Sequence, residues 1–501
     1  MSFKTFVSRI YAGSVCKKIR KDAMNAAFCQ DEVMKRLLLK AGRTVFGNDH
    51  SFDRIRNYED FKKHIPVRDY EDLIPYIERA KNAERDVLWP GIPKYFCKTS
   101  GTTAGIKYIP LTDDSIPNHI GSARNALLSY IAETGHADFV SGKMIFLQGS
   151  PELDHLPSGI PYGRLSGIVA NHVPKYLQKN RMPSYATNCI DDWETKVGAI
   201  VEETVEQNMT LISGIPSWVQ MYFEMLLIRT GKKSISEIFP RFDLFVFGGV
   251  NFEPYRKKFD ELIGRKIPTI ELYPASEGFI AFQDSQQEEG LLLNVNSGIF
   301  FEFIPADEYY NENPRRLSLP EVSTDINYAL ILSNNAGLWG YSIGDTVKFV
   351  SLHPPRIKVT GRIKHFTSAF GEHVIAEEVE KAMSVACAEL GITVTEFHVA
   401  PQVNPLEGLP YHEWFIEADN ITVKKEAIAM IIDNKMQDQN VYYKDVITGH
   451  VLKPAVLTFV RKGAFNEYMK SVGRLGGQNK VPRLSNDRKI ADELSTMRIP
   501  D

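Results

Sequence analysis

The sequence of 501 residues predicts an α/β protein with a large N-terminal domain and a smaller α+β C-terminal domain. Three observations support this fold class. The chain is longer than one hydrophobic core usually supports, helical and strand-like patterns alternate through its middle, and the pattern changes after about residue 360. We therefore expect residues 1–360 to form the first domain and residues 361–501 to form the second.

The first 90 residues or so have helical patterns, as in DEVMKRLLLKAG, whose Gly42 favours a helix end. Helices are also predicted for DDWETKVGAIVEETVEQ and SWVQMYFEMLLIRTG. Short apolar runs that favour strands follow at residues 244–247, 269–273, 291–295 and 299–304. Helices that alternate with strands in this way can cover a sheet, which is the arrangement of an α/β domain.

The pattern after Gly361 is mixed again. EEVEKAMSVACAELG, which ends at Gly391, and KKEAIAMIIDNKMQ predict helices, whereas VTEFHVA and HEWFIEA predict strands. About 140 residues with their own helices and strands can form a separate small domain. Pro354 and Pro355 interrupt regular structure near the boundary, which we place between residues 350 and 364.

Composition excludes several functional classes. A formal net charge of -3 gives the chain no general attraction to nucleic acid or to an anionic membrane, so we expect neither as a partner. The five cysteines show no metal-ligand spacing and favour a reduced, cytoplasmic compartment. No apolar run approaches the ~18 residues of a membrane span. Lys4 and Arg9 interrupt the basic N-terminal segment, which predicts an amphipathic surface helix rather than a signal peptide.

Residues 99–110 read TSGTTAGIKYIP and combine small hydroxyl residues, two glycines and a lysine. Glycine permits unusual backbone dihedrals, so successive N–H groups and hydroxyls such as that of Ser100 can surround an oxyanion. The spacing is not that of a P-loop, because only three residues separate Gly101 from Gly105, and it is not G-x-G-x-x-G either. By itself the segment is equally consistent with a solvated loop.

Three further segments carry polar groups suited to a nucleotide site. YPASEGF ends an apolar strand, where Ser276 and Glu277 would project into a cleft. GYSIGDT places Asp345 directly after a glycine, and TGRIKHF follows it along the chain. Each segment alone is a weak signal, since an aspartate in a turn is usually a cap and Glu277 alone is compatible with a surface carboxylate.

In this order the segments resemble the acyl-adenylate-forming superfamily and, within it, the auxin-responsive family of acyl-acid amido synthetases known from plant hormone conjugation. TSGTTAGIKYIP is similar to the family's phosphate loop and its following lysine and Ile-Pro. The family's Gly-Gly-Val matches residues 248–250, its Tyr-x-x-Ser-Glu matches 273–277, and its Tyr-x-x-Gly-Asp matches 341–345. TVFGNDHSF and PYIER resemble the family's leader, so the resemblance spans nearly the whole chain.

The resemblance implies an adenylate-forming first domain with α/β sheets and a β-barrel-like part, followed by a mobile C-terminal domain. It also implies a two-step reaction with ATP and Mg²⁺ as cofactors. A small carboxylic acid attacks the α-phosphate of ATP, which gives an acyl adenylate and pyrophosphate. An amine, by family analogy that of an amino acid, then displaces AMP and leaves an amide.

The resemblance assigns roles to individual residues. The implied catalytic residues are Lys107 at the polyphosphate, Glu277, which would also hold Mg²⁺, and Lys480 at the carboxylate or phosphate. For Lys480, a solvated surface lysine is the equal alternative. Arg362 and Lys364 match the hinge about which the C-terminal domain rotates. The implied nucleotide-binding residues are Ser100, Gly101, Thr102, Thr103, Gly105, Gly248, Gly249, Val250, Tyr273, Ser276, Asp345 and Arg362.

Each part of the nucleotide has its own group among these residues. The phosphate loop would hold the β- and γ-phosphates, and Gly248, Gly249, Val250 and Tyr273 would lie against the adenine. Asp345 would accept hydrogen bonds from the ribose hydroxyls, as acids do in other nucleotide sites.

Two other functions remain open. A thiol acceptor such as coenzyme A would make the protein an acyl-CoA ligase of the same superfamily. A catalytically silent nucleotide-binding protein would instead use occupancy to control a partner, although such a protein needs no metal-holding acid such as Glu277. Zinc chemistry has little support, because the His-Glu pair at 412–413 lacks the second histidine of H-E-x-x-H. SGIPSW is not a nucleophile elbow, and we expect Ser217 to be a helix N-cap.

Overall fold

The computed structural model describes residues 3–100, 106–172, 178–190, 192–249, 252–363, 374–402, 405–419, 423–448, 452–476, 480–485 and 487–500. The chain divides into two compact units. The first unit comprises residues 1–249 and 263–358, and the second comprises residues 250–262 and 359–501. Residues 250–262, which lie inside the first domain of the sequence prediction, thus group with the second unit.

Helices form most of the first 81 residues, as the sequence predicts, and recur between the later strands. The helices of the first unit are α1 (Phe3–Met24), α2 (Ala26–Ala41), α3 (Val45–Asp49), α4 (Tyr58–His64), α5 (Tyr70–Lys81), α6 (Ile116–Thr134), α7 (Leu165–Asn171), α8 (Tyr185–Asn188), α9 (Trp193–Thr204), α10 (Pro216–Thr230) and α11 (Ile235–Ile238). Those of the second unit are α12 (Glu253–Ile263), α13 (Ala376–Leu390), α14 (Lys425–Gln439), α15 (Val441–Thr448), α16 (Ala464–Ser471) and α17 (Lys489–Ser495).

Strands form three sheets. The strands that precede residue 363 are β1 (Tyr95–Ser100), β2 (Ile106–Leu111), β3 (Lys143–Phe146), β4 (Asp154–His155), β5 (Pro161–Gly163), β6 (Arg181–Met182), β7 (Met209–Ser213), β8 (Leu244–Gly248), β9 (Thr269–Ala275), β10 (Gly278–Phe282), β11 (Leu291–Leu293), β12 (Ile299–Pro305), β13 (Leu317–Ser318), β14 (Asn327–Asn334), β15 (Tyr341–Leu352) and β16 (Pro355–Arg362). The later strands are β17 (Thr393–Gln402), β18 (Tyr411–Asp419) and β19 (Val456–Val460).

A 12-stranded sheet organises the first unit, in the order β13-β12-β14-β15-β16-β11-β10-β9-β8-β7-β3-β6. The strands from β6 to β9 are parallel to one another. The pairs β9–β10, β10–β11, β12–β14 and β14–β15 are antiparallel. The sheet therefore changes from parallel to antiparallel at β9. Ligands of open α/β sheets bind beyond the carboxyl ends of parallel strands, so the ends of β8 and β9 are the natural position for a site.

Apolar packing covers the parallel half of this sheet. Residues 244–247 of β8 are all buried, which is typical of a parallel strand covered on both faces. α1 and α6 contribute Ala12 and Tyr130 to one core cluster with Ile270 of β9 and Phe279 of β10. The mixed α/β fold class that the sequence predicts is therefore confirmed for this unit.

A smaller sheet of order β2-β1-β5-β4 lies in the same unit. β1 and β2 form an antiparallel hairpin that pairs Ser100 with Ile106. The glycine- and threonine-rich segment 101–105 connects these two strands and lies outside the described residues.

The second unit has a sheet of order β17-β18-β19 with helices on both faces. Val399 and Trp414 belong to one core cluster with residues of α13 and α14. Phe415 and Val460 belong to another cluster with residues of α16 and α17. This smaller domain of helices and strands has the character that the sequence predicts.

Polar contacts attach α12 to the second unit. The hydroxyl of Tyr255 donates to Glu396 at 3.2 Å and accepts a hydrogen bond from Arg483 at 3.0 Å. Arg483 also forms ion pairs with Glu396 and Glu380. Because these side chains are largely buried, the contacts explain why this helix groups with residues far along the chain.

Helix ends show where local sequence rules hold. Gly391 ends α13 in the left-handed conformation, with φ of 64°, as expected for a glycine C-cap. The prediction that Ser217 is an N-cap is wrong. α10 begins at Pro216 after the N-cap residue Ile215, because proline at the first helical position fixes a suitable φ and needs no N–H partner. Among the residues that the structure describes, every helix is too short or too polar to cross a membrane.

Wild type should lose stability between pH 5 and pH 8, because the buried carboxyl of Glu378 ionises in this range. We expect this loss to be smaller by about 2 kcal/mol in the variant Glu378→Gln. Burial raises the pKa of Glu378 to about 7, although its carboxylate accepts hydrogen bonds from Asn440 and from the Ile375 amide, both at 3.0 Å. A carboxyl whose pKa is raised on folding contributes stability below its unfolded pKa and loses that contribution as pH rises through the folded pKa.

Urea unfolding between pH 5 and pH 8 measures this effect. Glu389→Gln is the matched control, since Glu389 is exposed on the same helix and should leave the pH dependence unchanged. The same pH dependence in wild type and Glu378→Gln would show that Glu378 does not titrate in this range.

Candidate functional site

The candidate site begins where β8 ends. A Cβ atom at Gly248 would lie only 2.5 Å from the carbonyl oxygen of Leu272 on β9, so the close approach of these two strands requires glycine there. Gly249 follows with φ of 80°, a conformation that favours glycine. These two residues therefore present bare backbone at the carboxyl edge of the parallel sheet.

Ser276 and Glu277 form the two-residue turn between β9 and β10. The side-chain amide of the buried Asn334 donates to the carbonyl oxygen of Glu277 at 2.6 Å. The side-chain oxygen of Asn334 also accepts hydrogen bonds from the amides of Ala336 and Leu338, at 2.9 and 3.0 Å. One asparagine thus attaches the hairpin tip to the turn after β14.

A second asparagine holds the other side of this hairpin. Asn118 of α6 accepts from the amide of Phe279 at 2.7 Å and donates to the carbonyl of the same residue at 3.3 Å. The carbonyl of Phe279 also accepts from the side-chain amide of Asn294 at 3.1 Å, so both polar groups of this backbone position have side-chain partners. The backbone of Glu277 is fixed from both directions.

Glu277 is one of several carboxylates that act on the buried Tyr341. Burial raises the pKa of Tyr341 well above its ordinary value, and the carboxylates of Glu277 and Glu71 raise that pKa further. Among the described residues, neither carboxylate oxygen of Glu71 has a hydrogen-bond partner, although both oxygens are buried. The negative charge here suits a cationic ligand.

Asp345 lies on β15 and faces the parallel half of the sheet. The hydroxyl of the buried Tyr273 donates to its carboxylate at 2.7 Å. Hydrogen bonds to a carboxylate are stronger than those between neutral groups, so this contact fixes the orientation of Asp345. It also joins β9 to β15 at the side of the sheet where β9 ends.

The hydroxyl of Ser276 points toward β1. It accepts a hydrogen bond from the thiol of Cys97 at 3.2 Å, and both residues are buried. Burial raises the pKa of Cys97 to about 12, and the charge of Glu277 contributes to this shift. Cys97 is therefore a neutral thiol that supports the turn rather than a nucleophile.

Lys107 is the second residue of β2, and one residue separates it from the segment 101–105. Its ammonium group lies 5.4 Å from the centre of the Tyr70 ring. Within the described ranges it has no carboxylate partner. Tyr70 in turn accepts a hydrogen bond from the amide of Tyr108 at 2.8 Å, which fixes the ring beside the lysine. The charge of Lys107 thus lies close to the turn of the hairpin that β1 and β2 form.

The structure brings together part of the set that the resemblance implies. Within the first unit these are Gly248, Gly249, Tyr273, Ser276, Glu277 and Asp345, with Lys107 on the neighbouring β2. Arg362 and Lys480 are exposed residues of the second unit. Six further predicted residues lie outside the described part of the chain, and these are Gly101, Thr102, Thr103, Gly105, Val250 and Lys364. Ser100 ends β1, directly before the loop.

The residues that hold the site in place carry no signal in the sequence motifs. Asn118, Asn334, Cys97 and Glu71 are named by no motif. Asn334 precedes Asn-Ala-Gly, which is a turn signal, but the sequence does not show that its side chain reaches Glu277. Asn118 lies in helix α6, and no motif or periodic pattern in the sequence distinguishes it from other polar residues. Contacts between residues so distant along the chain could not be read from local patterns.

A protein-only metal cage is not found. Across the described ranges, no group of three or more His, Cys, Asp or Glu side chains is placed to hold a metal ion. A cation at Glu277 would therefore need further ligands from its substrate and from water, which is how proteins usually bind Mg²⁺.

Comparisons with known proteins give matches to one family along most of the chain. Profiles of the GH3 family match as its N-terminal domain over residues 15–191, its central domain over 292–362 and its C-terminal domain over 377–489. Indole-3-acetic acid-amido synthetase GH3.3 of Arabidopsis thaliana is 21% identical over 95% of this chain and 92% of that protein. Jasmonoyl--L-amino acid synthetase JAR4 of Nicotiana attenuata is 22% identical over 92% of this chain and 91% of that protein.

The fold is also found among solved structures. The structure of GH3.15 acyl acid amido synthetase superposes on this one with a TM-score of 0.80 at 16% identity. The superposition covers 97% of this chain and 96% of that one. The two-domain mixed α/β fold is therefore shared across both chains.

We expect Gly248→Ala to lower the free energy of unfolding by about 1–3 kcal/mol, because the added methyl group must displace the backbone of β9. Gly198→Ala on α9 is the matched control. A Cβ atom there would meet only the terminal methyl of Met225 at 3.8 Å, an ordinary contact. Alanine is the better helix former, so the control should be neutral or stabilising by ~0.5–1 kcal/mol. Urea unfolding of both variants measures the difference, and equal stability would contradict the proposed close approach.

Proposed function

The chain belongs to the GH3 family, and on this premise we propose that it is an ATP-dependent, AMP-forming acyl-acid amido synthetase. It activates a carboxylic acid as an acyl adenylate with release of pyrophosphate. The amine of an amino acid then attacks the acyl carbon, so that an amide forms and AMP leaves. Relatives named as amido synthetases align over more than nine tenths of both chains, which supports this assignment.

The observation that carries the proposal is the fixed Glu277 turn beside the glycine end of β8. Adenylation requires a flat purine, a ribose and a metal-bound triphosphate to be held in one orientation. Gly248 and Gly249 offer close backbone approach for the adenine. Asp345, oriented by Tyr273, offers an acceptor for the ribose hydroxyls. Glu277 offers its carboxylate at the end of β9.

The residues present fit Mg²⁺ at this position. Mg²⁺ prefers carboxylate and phosphate oxygens and usually takes only one or two ligands from the protein. Glu277 supplies one carboxylate, and it shares with the unpartnered carboxylate of Glu71 an electrostatic effect on Tyr341, whose pKa both raise. When bound with ATP, the ion would neutralise charge on the phosphates. Glu277 would hold it, as the resemblance implies.

Two lysines complete the proposed catalytic set. Lys107 has no carboxylate partner among the described residues, so its charge is available to the polyphosphate. Segment 100–105 would surround the β- and γ-phosphates with backbone amides and hydroxyls. Lys480 would contact the carboxylate or the α-phosphate during adenylation. We propose further that residues 361–501 rotate about a hinge at Arg362 and Lys364 between the half-reactions.

The substrates belong to two chemical classes, a small carboxylic acid and an amino acid. The named relatives differ in the acid, indole-3-acetic acid in one and jasmonic acid in the other, so the family leaves the acid open. Thioester formation with coenzyme A in place of amide formation would instead assign an acyl-CoA ligase. All five cysteines are free thiols, which supports a reducing, cytoplasmic location.

Glu277→Ala should lower ATP–pyrophosphate exchange at least 100-fold, because the variant loses the carboxylate that would hold Mg²⁺. The assay uses a panel of aromatic, aliphatic and hydroxy acids. The backbone contact from Asn334 to residue 277 remains, so the variant should stay folded. Glu206→Ala, at an exposed position after α9, is the matched control.

Unchanged exchange in Glu277→Ala would remove Glu277 from the site. Absence of exchange with every acid in wild type, despite measurable ATP binding, would contradict the synthetase and favour a nucleotide-controlled binding protein.

Lys480→Ala should slow adenylation more than tenfold and leave amide formation from preformed acyl adenylate within about threefold of wild type. The reason is that its charge would act on groups that change only in the first half-reaction. Lys424→Ala is the control, since Lys424 is an exposed lysine of the same unit. No effect on either half-reaction would identify Lys480 as a surface lysine, and equal losses in both would contradict a role confined to adenylation.

A further inference from the structure

α1 turns large apolar side chains toward solvent near its beginning. Phe6, Val7, Ile10 and Tyr11 are 53%, 45%, 62% and 46% exposed. The opposite face of the helix packs inward, where Ala12 is fully buried in a cluster with residues of α6. The exposed apolar surface is therefore a separate feature of the helix and not part of its packing face.

The outward face becomes basic in the second half of α1. Four exposed basic side chains follow one another there, and these are Lys17, Lys18, Arg20 and Lys21. At about 100° per residue, Lys17 and Lys21 lie in line with Phe6 and Ile10 on the outward face. The helix as a whole carries six Lys or Arg residues and one Asp, a net charge of +5. The formal net charge of the whole chain is -3, so this charge is strongly local.

We propose that the outward face of α1 docks on the anionic surface of a phospholipid bilayer. Exposed aromatic and aliphatic side chains can insert below the headgroups of a bilayer, and clustered lysines on the same surface are attracted to its anionic lipids. α1 has this arrangement along its length, apolar residues first and basic residues second. Docking is peripheral, because no described helix can span the membrane.

Charge favours a lipid surface over a second copy of the chain. A dimer formed through α1 would bring together two helices that each carry a net charge of +5, and like charges repel. An anionic bilayer instead attracts basic side chains near its surface. The expectation of no membrane partner rests on the net charge of the whole chain, which hides the charge of this helix.

Co-sedimentation of the full chain with vesicles tests the proposal. Vesicles of phosphatidylcholine alone are compared with vesicles that contain about one third phosphatidylserine. We expect binding to the anionic vesicles only, with a decrease as salt screens the charges. The double variant Phe6→Ser with Ile10→Ser, and the double variant Lys17→Glu with Lys21→Glu, should each lower the partition coefficient at least tenfold.

Matched controls change the same residue types elsewhere. Ile228→Ser removes an isoleucine that is 84% exposed on α10, and Lys232→Glu with Lys233→Glu reverses two exposed lysines that follow that helix. Both controls should bind like wild type. Circular dichroism verifies that each variant keeps its helix content.

Three results would overturn the proposal. These are equal binding to neutral and anionic vesicles, no binding to either, and equal losses in the α1 variants and the controls. A concentration-dependent dimer that light scattering detects and that the α1 variants abolish would assign this face to a second copy instead.

Discussion

The candidate site depends on the hydrogen bonds that two buried asparagines make to hairpin β9–β10. The 12-stranded sheet changes from parallel to antiparallel at β9, and in hairpin β9–β10 Phe279 pairs with Pro274, which has no N–H to donate to the ladder. Asn118 accepts from the amide of Phe279 and shares the carbonyl of that residue with Asn294, and Asn334 donates to the carbonyl of Glu277. A buried polar group left without a partner costs about 1–3 kcal/mol, so each asparagine contributes both to stability and to the position of the turn.

The bond between Tyr273 and Asp345 adds the second constraint. Tyr273 belongs to the last parallel strand, whereas Asp345 belongs to an antiparallel strand that is much later in the chain. Their contact joins the two halves of the sheet at the side where the glycine end of β8 and the Glu277 turn also lie. A nucleotide that bound here would touch both halves, so its orientation would depend on how rigidly they are joined.

Sequence patterns predicted the elements of this fold better than its contacts. The apolar runs at 244–247 and 269–273 are β8 and β9, and Gly391 ends α13 as predicted, because burial and glycine conformation act locally. Ser217 shows a local rule that failed, since proline at the preceding position moved the helix start. Asn118 and Asn334 could not have been found, since each acts on a residue remote in sequence, and tertiary contacts of this kind leave no periodic signal.

The position of α12 has a consequence for how such a protein can be divided or recombined. Because residues 250–262 group with residues 359–501, the chain passes between the two units three times, and the second unit is a discontinuous domain. A fragment that began at residue 361 would lack Tyr255, the hydroxyl partner of both Arg483 and Glu396. An exchange of C-terminal domains between relatives would also have to carry this helix, although the helix lies between two strands of the first unit. Recombination at a single crossover would therefore separate Tyr255 from Arg483 and Glu396, the residues that it binds.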